Sequence, residues 1–161
     1  MGVTSAEQTA EGRDFTLPSV PESREVIERA VVTALESRGC GEDDIFSVRL
    51  ALEEAIVNAI RHGNKSDPNK NIHVDYSVDQ SRLVLSIEDE GAGFDLESVP
   101  DPTAEENLEA DHGRGILLMR VYMDQVVYND KGNKVTLTKL LNTGEQASDT
   151  EDQREEVAGG A

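Results

Sequence analysis

The sequence predicts a two-layer α/β sandwich, a mixed but mostly antiparallel sheet covered on one face by helices. Three observations carry that expectation. Apolar residues alternate with polar ones over two adjacent stretches, 72–78 and 83–89. They recur at spacings of three and four over two others, 26–35 and 45–59. The elements are also segregated: strand, two helices, two strands, a long loop, helix, two strands. That order is not a βαβ alternation, and no Gly-x-Gly-x-x-Gly follows a strand, which excludes a Rossmann unit.

Residues 1–13 are polar and without period, and read as a disordered N-terminus. Residues 14–17 form a short strand candidate closed by Pro18. Pro21 and Glu22 are helix-start signals, and Val26, Ile27, Ala30, Val31, Ala34 and Leu35 place the first helix at 22–38, ended by Gly39 and Gly41. Glu42, Asp43 and Asp44 put negative charge where the dipole of the next helix favours it. That helix is expected to run to His62 and stop at Gly63-Asn64. Its apolar stripe is Ile45, Val48, Leu52, Ala55, Ile56 and Ala59; beside it Glu54, Asn58 and His62 fall at i, i+4 and i+8, on one polar stripe.

Ile72, Val74, Tyr76 and Val78 define one half-buried strand, and Leu83, Leu85 and Ile87 a second, after the Asp79-Gln80-Ser81 turn. Asp89 falls in phase with the second set. A carboxylate therefore closes the inward face, where an unpaired charge is costly, so it pairs with a group or binds one. It opens the stretch Asp-Glu-Gly-Ala-Gly-Phe, whose Gly91 and Gly93 permit positive φ and close backbone approach. Residues 95–112 hold seven acids, two prolines and no lysine or arginine, with no helical or strand period. A loop this long in a small domain is functional or mobile. It ends in Gly113-Arg114-Gly115-Ile116, before an apolar helix at 117–123; Gly-x-Gly opening a helix aims backbone N–H groups at an anion. Residues 125–129 and 134–141 are two further strands, and the acidic stretch 143–161 reads as a disordered tail.

The 161 residues suffice for one domain, here 14–142. A formal net charge of −18 argues against non-specific binding to nucleic acid or to an anionic membrane. One cysteine, Cys40, permits no intrachain disulfide and suits a reducing compartment. No apolar run approaches the roughly 18 residues of a membrane span, and no signal segment opens the chain, so a cytoplasmic location is expected.

Taken together, Glu-x-x-x-Asn on a helix, Asp-x-Gly-x-Gly-Phe after a strand and Gly-x-Gly-Ile after a long loop resemble the GHKL (histidine-kinase-like) ATP-binding fold. Within it, the stretches Glu-Glu-Ala-Ile-Val-Asn-Ala-Ile-Arg-His-Gly and Met-Arg-Val-Tyr-Met-Asp-Gln-Val-Val-Tyr-Asn are most similar to the anti-sigma-factor serine kinases of bacterial partner switching. The resemblance covers residues 15–141. It implies an ATP- and Mg²⁺-dependent protein serine/threonine kinase. Asn58 would be the Mg²⁺ ligand, Glu54 the general base, and His62 a neighbour of the nucleotide. Asp89 would read the adenine amine, with Gly91, Gly93 and Phe94 around the base. Gly113, Arg114, Gly115 and Ile116 would cradle the phosphates, and 95–112 would be the ATP lid. It further implies an anti-anti-sigma (STAS-domain) substrate, sequestration of a sigma factor, and a homodimer. Two features depart from the family: the lid is unusually acidic, and Gly132-Asn133-Lys134 stands where Gly-Thr-Thr is common, with Thr136 and Thr138 beyond it. These departures leave open a nucleotide-binding partner switch that transfers no phosphate.

Overall fold

A computed structural model describes residues 11–93 and 111–141, with only the backbone of 111–114. Five strands, β1 (Glu11–Pro18), β2 (Asn71–Val78), β3 (Arg82–Asp89), β4 (Gln125–Tyr128) and β5 (Lys134–Leu140), form one sheet in the order β1-β2-β3-β5-β4. Every pairing among the described strands is antiparallel, so the expected mixed sheet contains no parallel pair. The β2–β3 hairpin is tied at its turn by Asp79, whose Oδ1 accepts the N–H groups of Ser81 at 2.8 Å and Arg82 at 2.9 Å.

Three helices, α1 (Pro21–Ser37), α2 (Glu42–Val57) and α3 (Asp111–Tyr122), carry the other half of the core. Ile27, Val31 and Leu35 of α1, Leu52 and Ile56 of α2 and Met119 of α3 are buried with the inward residues Ile72, Leu85, Ile87 and Leu137 of the sheet. Each such side chain contributes roughly 1.5–3 kcal/mol on leaving water. The opposite face of the sheet is more polar; there Ser86 and Thr136 share a hydrogen bond of 3.0 Å.

Three boundaries differ from expectation. β1 begins at Glu11, inside the stretch read as disordered, and pairs with β2 along its whole length. Its polar residues are exposed, so hydrogen bonding to β2 rather than burial extends it, and Arg13 stacks over Phe15 with 5.0 Å to the ring centre. The second helix leaves the α pitch at Asn58 and ends in a π-helical turn, Asn58–Gly63, where the Asn64 N–H donates to Ala59 O at 2.9 Å. Helix α3 begins at Asp111, so Gly113 and Gly115 lie within its first turns rather than ahead of them. Phe94, most of the expected lid and the acidic tail lie outside the described residues.

Candidate functional site

Between the C-terminal half of α2 with its π turn and the inner face of β3, β4 and β5 lies a cavity of about 280 Å³. Asp89 stands at one end. It is 9 % exposed, and its Oδ1 accepts the Gly91 N–H at 2.8 Å. Burial pushes its carboxyl above the usual carboxylate range, although the Gly91 N–H pulls the other way. Tyr128 lines the same wall, and burial raises its phenol to about 12, so it stays protonated near neutrality.

Glycines bring the walls together by contact between backbones. A Cβ on Gly63 would strike the Asp89 carboxylate, and one on Gly91 would strike the Gly63 carbonyl. Gly93 has φ +79° and abuts the Lys131 carbonyl in the β4–β5 turn. The Gly91 and Gly93 of the sequence motif thus serve close packing of protein on protein; Gly93 also lines the cavity.

Asn58 also lines the cavity, and Glu54, one helical turn before it, lies outside the lining. The Asn58 Nδ2 is buried with no hydrogen-bond partner among the described residues. A Cβ built on Gly115 of α3 would lie 2.9 Å from Glu54 Oε2 and 3.0 Å from Asn58 Nδ2. The two side chains therefore converge on a helix backbone bare of side chain. His62 also lines the cavity, although the π turn takes it out of the α-helical phase assumed for the stripe. Ile116 is a core residue, buried with Met119. Gly113, Arg114 and Gly115 lie in the first described turns of α3. Thr136 is turned to Ser86 on the far face of the sheet, away from the cavity.

Sequence reasoning missed Asn64, which is fully buried. Its Nδ2 donates to Ser19 Oγ at 2.6 Å and to Asn71 O at 2.9 Å, and its Oδ1 accepts the Glu90 N–H at 2.8 Å. One amide thus joins the end of the π turn to the β1–α1 junction, the start of β2 and the residue after Asp89. Lys65 and Ser66 follow, both at φ 57°. An asparagine after a glycine reads as a helix stop, and nothing local announces its burial. Asn129 was read only as the end of a strand, and Asn133 only as part of the departure Gly132-Asn133-Lys134. Asn129 Oδ1 accepts the N–H groups of Gly132 at 2.9 Å, Asn133 at 3.0 Å and Lys134 at 3.1 Å.

Which residues could hold a metal follows from the donor set. No cluster of three His, Cys, Asp or Glu exists among the described residues. The Asn58 amide, whose Nδ2 has no partner among the described residues, can offer Oδ1, a hard oxygen of the kind Mg²⁺ shares with phosphates and water. The site thus fits an ion that arrives with a phosphorylated ligand.

The profile of the histidine kinase-like ATPase domain matches residues 17–139. The chain belongs to this family. The ATPase domain is 32% identical over 139 residues to "Serine-protein kinase RsbW" of Bacillus subtilis (strain 168), spanning 80% of this chain and 85% of that protein. It is 33% identical over 107 residues to the "Anti-sigma F factor" of Clostridium perfringens (strain 13 / Type A), spanning 63% of this chain and 76% of that one. Among solved structures, the RsbU and RsbW domains of Rv1364c from Mycobacterium tuberculosis match with a TM-score of 0.58 and 17% identity, over 82% of this chain and 33% of that chain. At that identity the match shows the fold alone. No helix of the ATPase domain, among the described residues, is long and apolar enough to cross a membrane.

Proposed function

We propose that this protein is an ATP- and Mg²⁺-dependent protein serine/threonine kinase and anti-sigma regulator, acting on a STAS-type anti-anti-sigma partner, as a cytoplasmic homodimer. One observation supports it above the rest: Glu54 and Asn58 meet at the bare backbone of Gly115, while a buried acid, Asp89, closes the far end of the adjoining cavity. The names of the serine-protein kinase and anti-sigma relatives point the same way.

In this reading Asp89 accepts a hydrogen bond from the exocyclic amine of adenine, with Oδ1 already oriented by Gly91. His62 lies beside the ribose or phosphates. The amides of Gly113 and Arg114, in the first turns of α3, hold the phosphate chain. Asn58 would hold the magnesium ion through its side-chain carbonyl. When bound, that ion offsets the charge on the transferred phosphoryl group. Glu54 orients the partner's hydroxyl and takes its proton. The hydroxyl oxygen forms a bond to the γ-phosphorus, the bond to the β–γ bridging oxygen breaks, and ADP leaves.

The test is incubation of the protein with labelled ATP, Mg²⁺ and STAS-domain partners. Glu54→Ala should abolish transfer and retain nucleotide binding. ATP binding with no transfer from wild type to any partner would instead identify a nucleotide-dependent partner switch. Absence of ATP binding would overturn the reading of the cavity.

A further inference from the structure

The turn between β4 and β5 is built around two asparagine side chains whose orientations are chemically fixed. Asn129 Oδ1 accepts three main-chain N–H groups, so its Nδ2 must face outward, and it donates to Asn133 Oδ1 at 2.8 Å. Asn133 Nδ2 in turn donates to the main-chain carbonyl of Asp89 at 3.0 Å. A carbonyl can only accept, so this amide cannot be turned over without putting oxygen against oxygen. The Asp89 N–H donates to the Asn133 carbonyl at 2.9 Å. Asn133 therefore grips both sides of Asp89, and it does so while lining the cavity. The β3–β5 ladder proper ends one residue earlier, at Glu88 and Lys134. Without this grip the end of β3 would hold the acid by its pairing with Ile72 of β2 alone, with nothing on the β5 side.

We propose that Asn133, oriented by Asn129, is a positioning residue that holds the Asp89 carboxylate in register with the exocyclic amine of a purine, and so sets the protein's preference for amine-bearing bases. The proposal rests on the reading of the cavity as a nucleotide site. It adds that the selectivity lies in a relay, Asn129 to Asn133 to Asp89, and not in the acid alone. The relay costs nothing in ligand contact, because each asparagine spends its bonds within the protein.

The experiment is calorimetric titration of Mg-ATP, and separately of the Mg complex of purine riboside triphosphate, which lacks the exocyclic amine. The proteins are wild type, Asn133→Ala and Asn129→Asp. The second variant keeps an acceptor for the three turn N–H groups but sets a carboxylate against Asn133 Oδ1, so it decides the matter if Asn133→Ala does not fold. Each variant should weaken ATP roughly five- to twentyfold, the scale of one misplaced hydrogen bond, and change binding of the amine-free nucleotide less than about twofold. Equal weakening of both nucleotides, or of neither, while wild type binds ATP, would overturn the relay and leave the cavity reading intact. Failure of wild type to bind ATP would overturn both.

Discussion

Gly63 and Asp89 are in direct contact: the space a methyl group on Gly63 would take is already filled by the Asp89 carboxylate. Gly63→Ala should therefore displace the acid. The carboxylate is held by the Gly91 N–H and cannot retreat cheaply. Overpacking of this kind costs about 1–3 kcal/mol, so a lower midpoint in urea should accompany weakened ATP binding. Unchanged calorimetric affinity would separate this contact from function.

Asp89→Asn should uncouple stability from binding. Burial raises the Asp89 pKa, so the folded protein holds this proton to higher pH than the unfolded chain. Stability from this group falls as pH rises from the ordinary carboxylate range through the raised folded value, and near neutrality the buried charge is a net cost. A neutral amide removes that cost, so the melting temperature of the ligand-free variant should hold or rise. Its Oδ1 would take over the Gly91 N–H, leaving Nδ2 to face the purine amine, donor against donor, and ATP affinity should fall at least roughly tenfold. In wild type, ATP affinity should weaken as pH is lowered through the same range, because the acceptor becomes protonated. A flat pH profile for wild type would argue against Asp89 as the base reader.

Gly115→Ala addresses Glu54 and Asn58. The added methyl would sit 2.9 Å from Glu54 Oε2 and 3.0 Å from Asn58 Nδ2. Both are ends of side chains and can move, so the fold should survive; alanine is also the better helix former, by about 1 kcal/mol. A misplacement of about 1 Å can cost about a hundredfold in rate, so a shift of roughly half that should lower kcat by about tenfold. The expected signature in a phosphotransfer assay is loss of kcat at an unchanged or higher melting temperature.

Asn64→Ala tests architecture rather than chemistry. It strands the Asn71 carbonyl and the Glu90 N–H, and takes one of two bonds from Ser19 Oγ, which still donates to Lys70 O at 2.8 Å. Unmade bonds at buried groups cost about 1–3 kcal/mol each, and partial access of water lowers the sum. A loss of about 3 kcal/mol in urea denaturation is expected. A loss below the cost of a single such bond would mean that the junction is held by other contacts.

Much of this protein can be read along its chain, for reasons that differ by residue. Asp89 announced itself because strand alternation is strict: an acid in phase with Leu83, Leu85 and Ile87 must point inward. Glu54 and Asn58 were legible because one turn of α-helix separates them. The π turn was not, since the pull that widens it comes from Asn64 and its partners on three distant segments. The start of α3 was misplaced because glycines argue against a helix interior, yet here Gly115 leaves the space that Glu54 and Asn58 fill. The Asn129–Asn133 relay depends on two strands meeting, and no local pattern records that.

Lys65 and Ser66, both left-handed at φ 57°, are an opening for protein engineering. Side-chain-bearing residues in that conformation cost roughly 1–2 kcal/mol each, and these two persist because the Ser66 N–H is fastened to Ile60 O at 2.8 Å. Glycine at 66 would relieve its share of that strain at the expense of a more flexible denatured chain, a net gain of about 0.5 kcal/mol. Ser66 is exposed and outside the cavity lining, so heat tolerance can be raised there without touching the pocket.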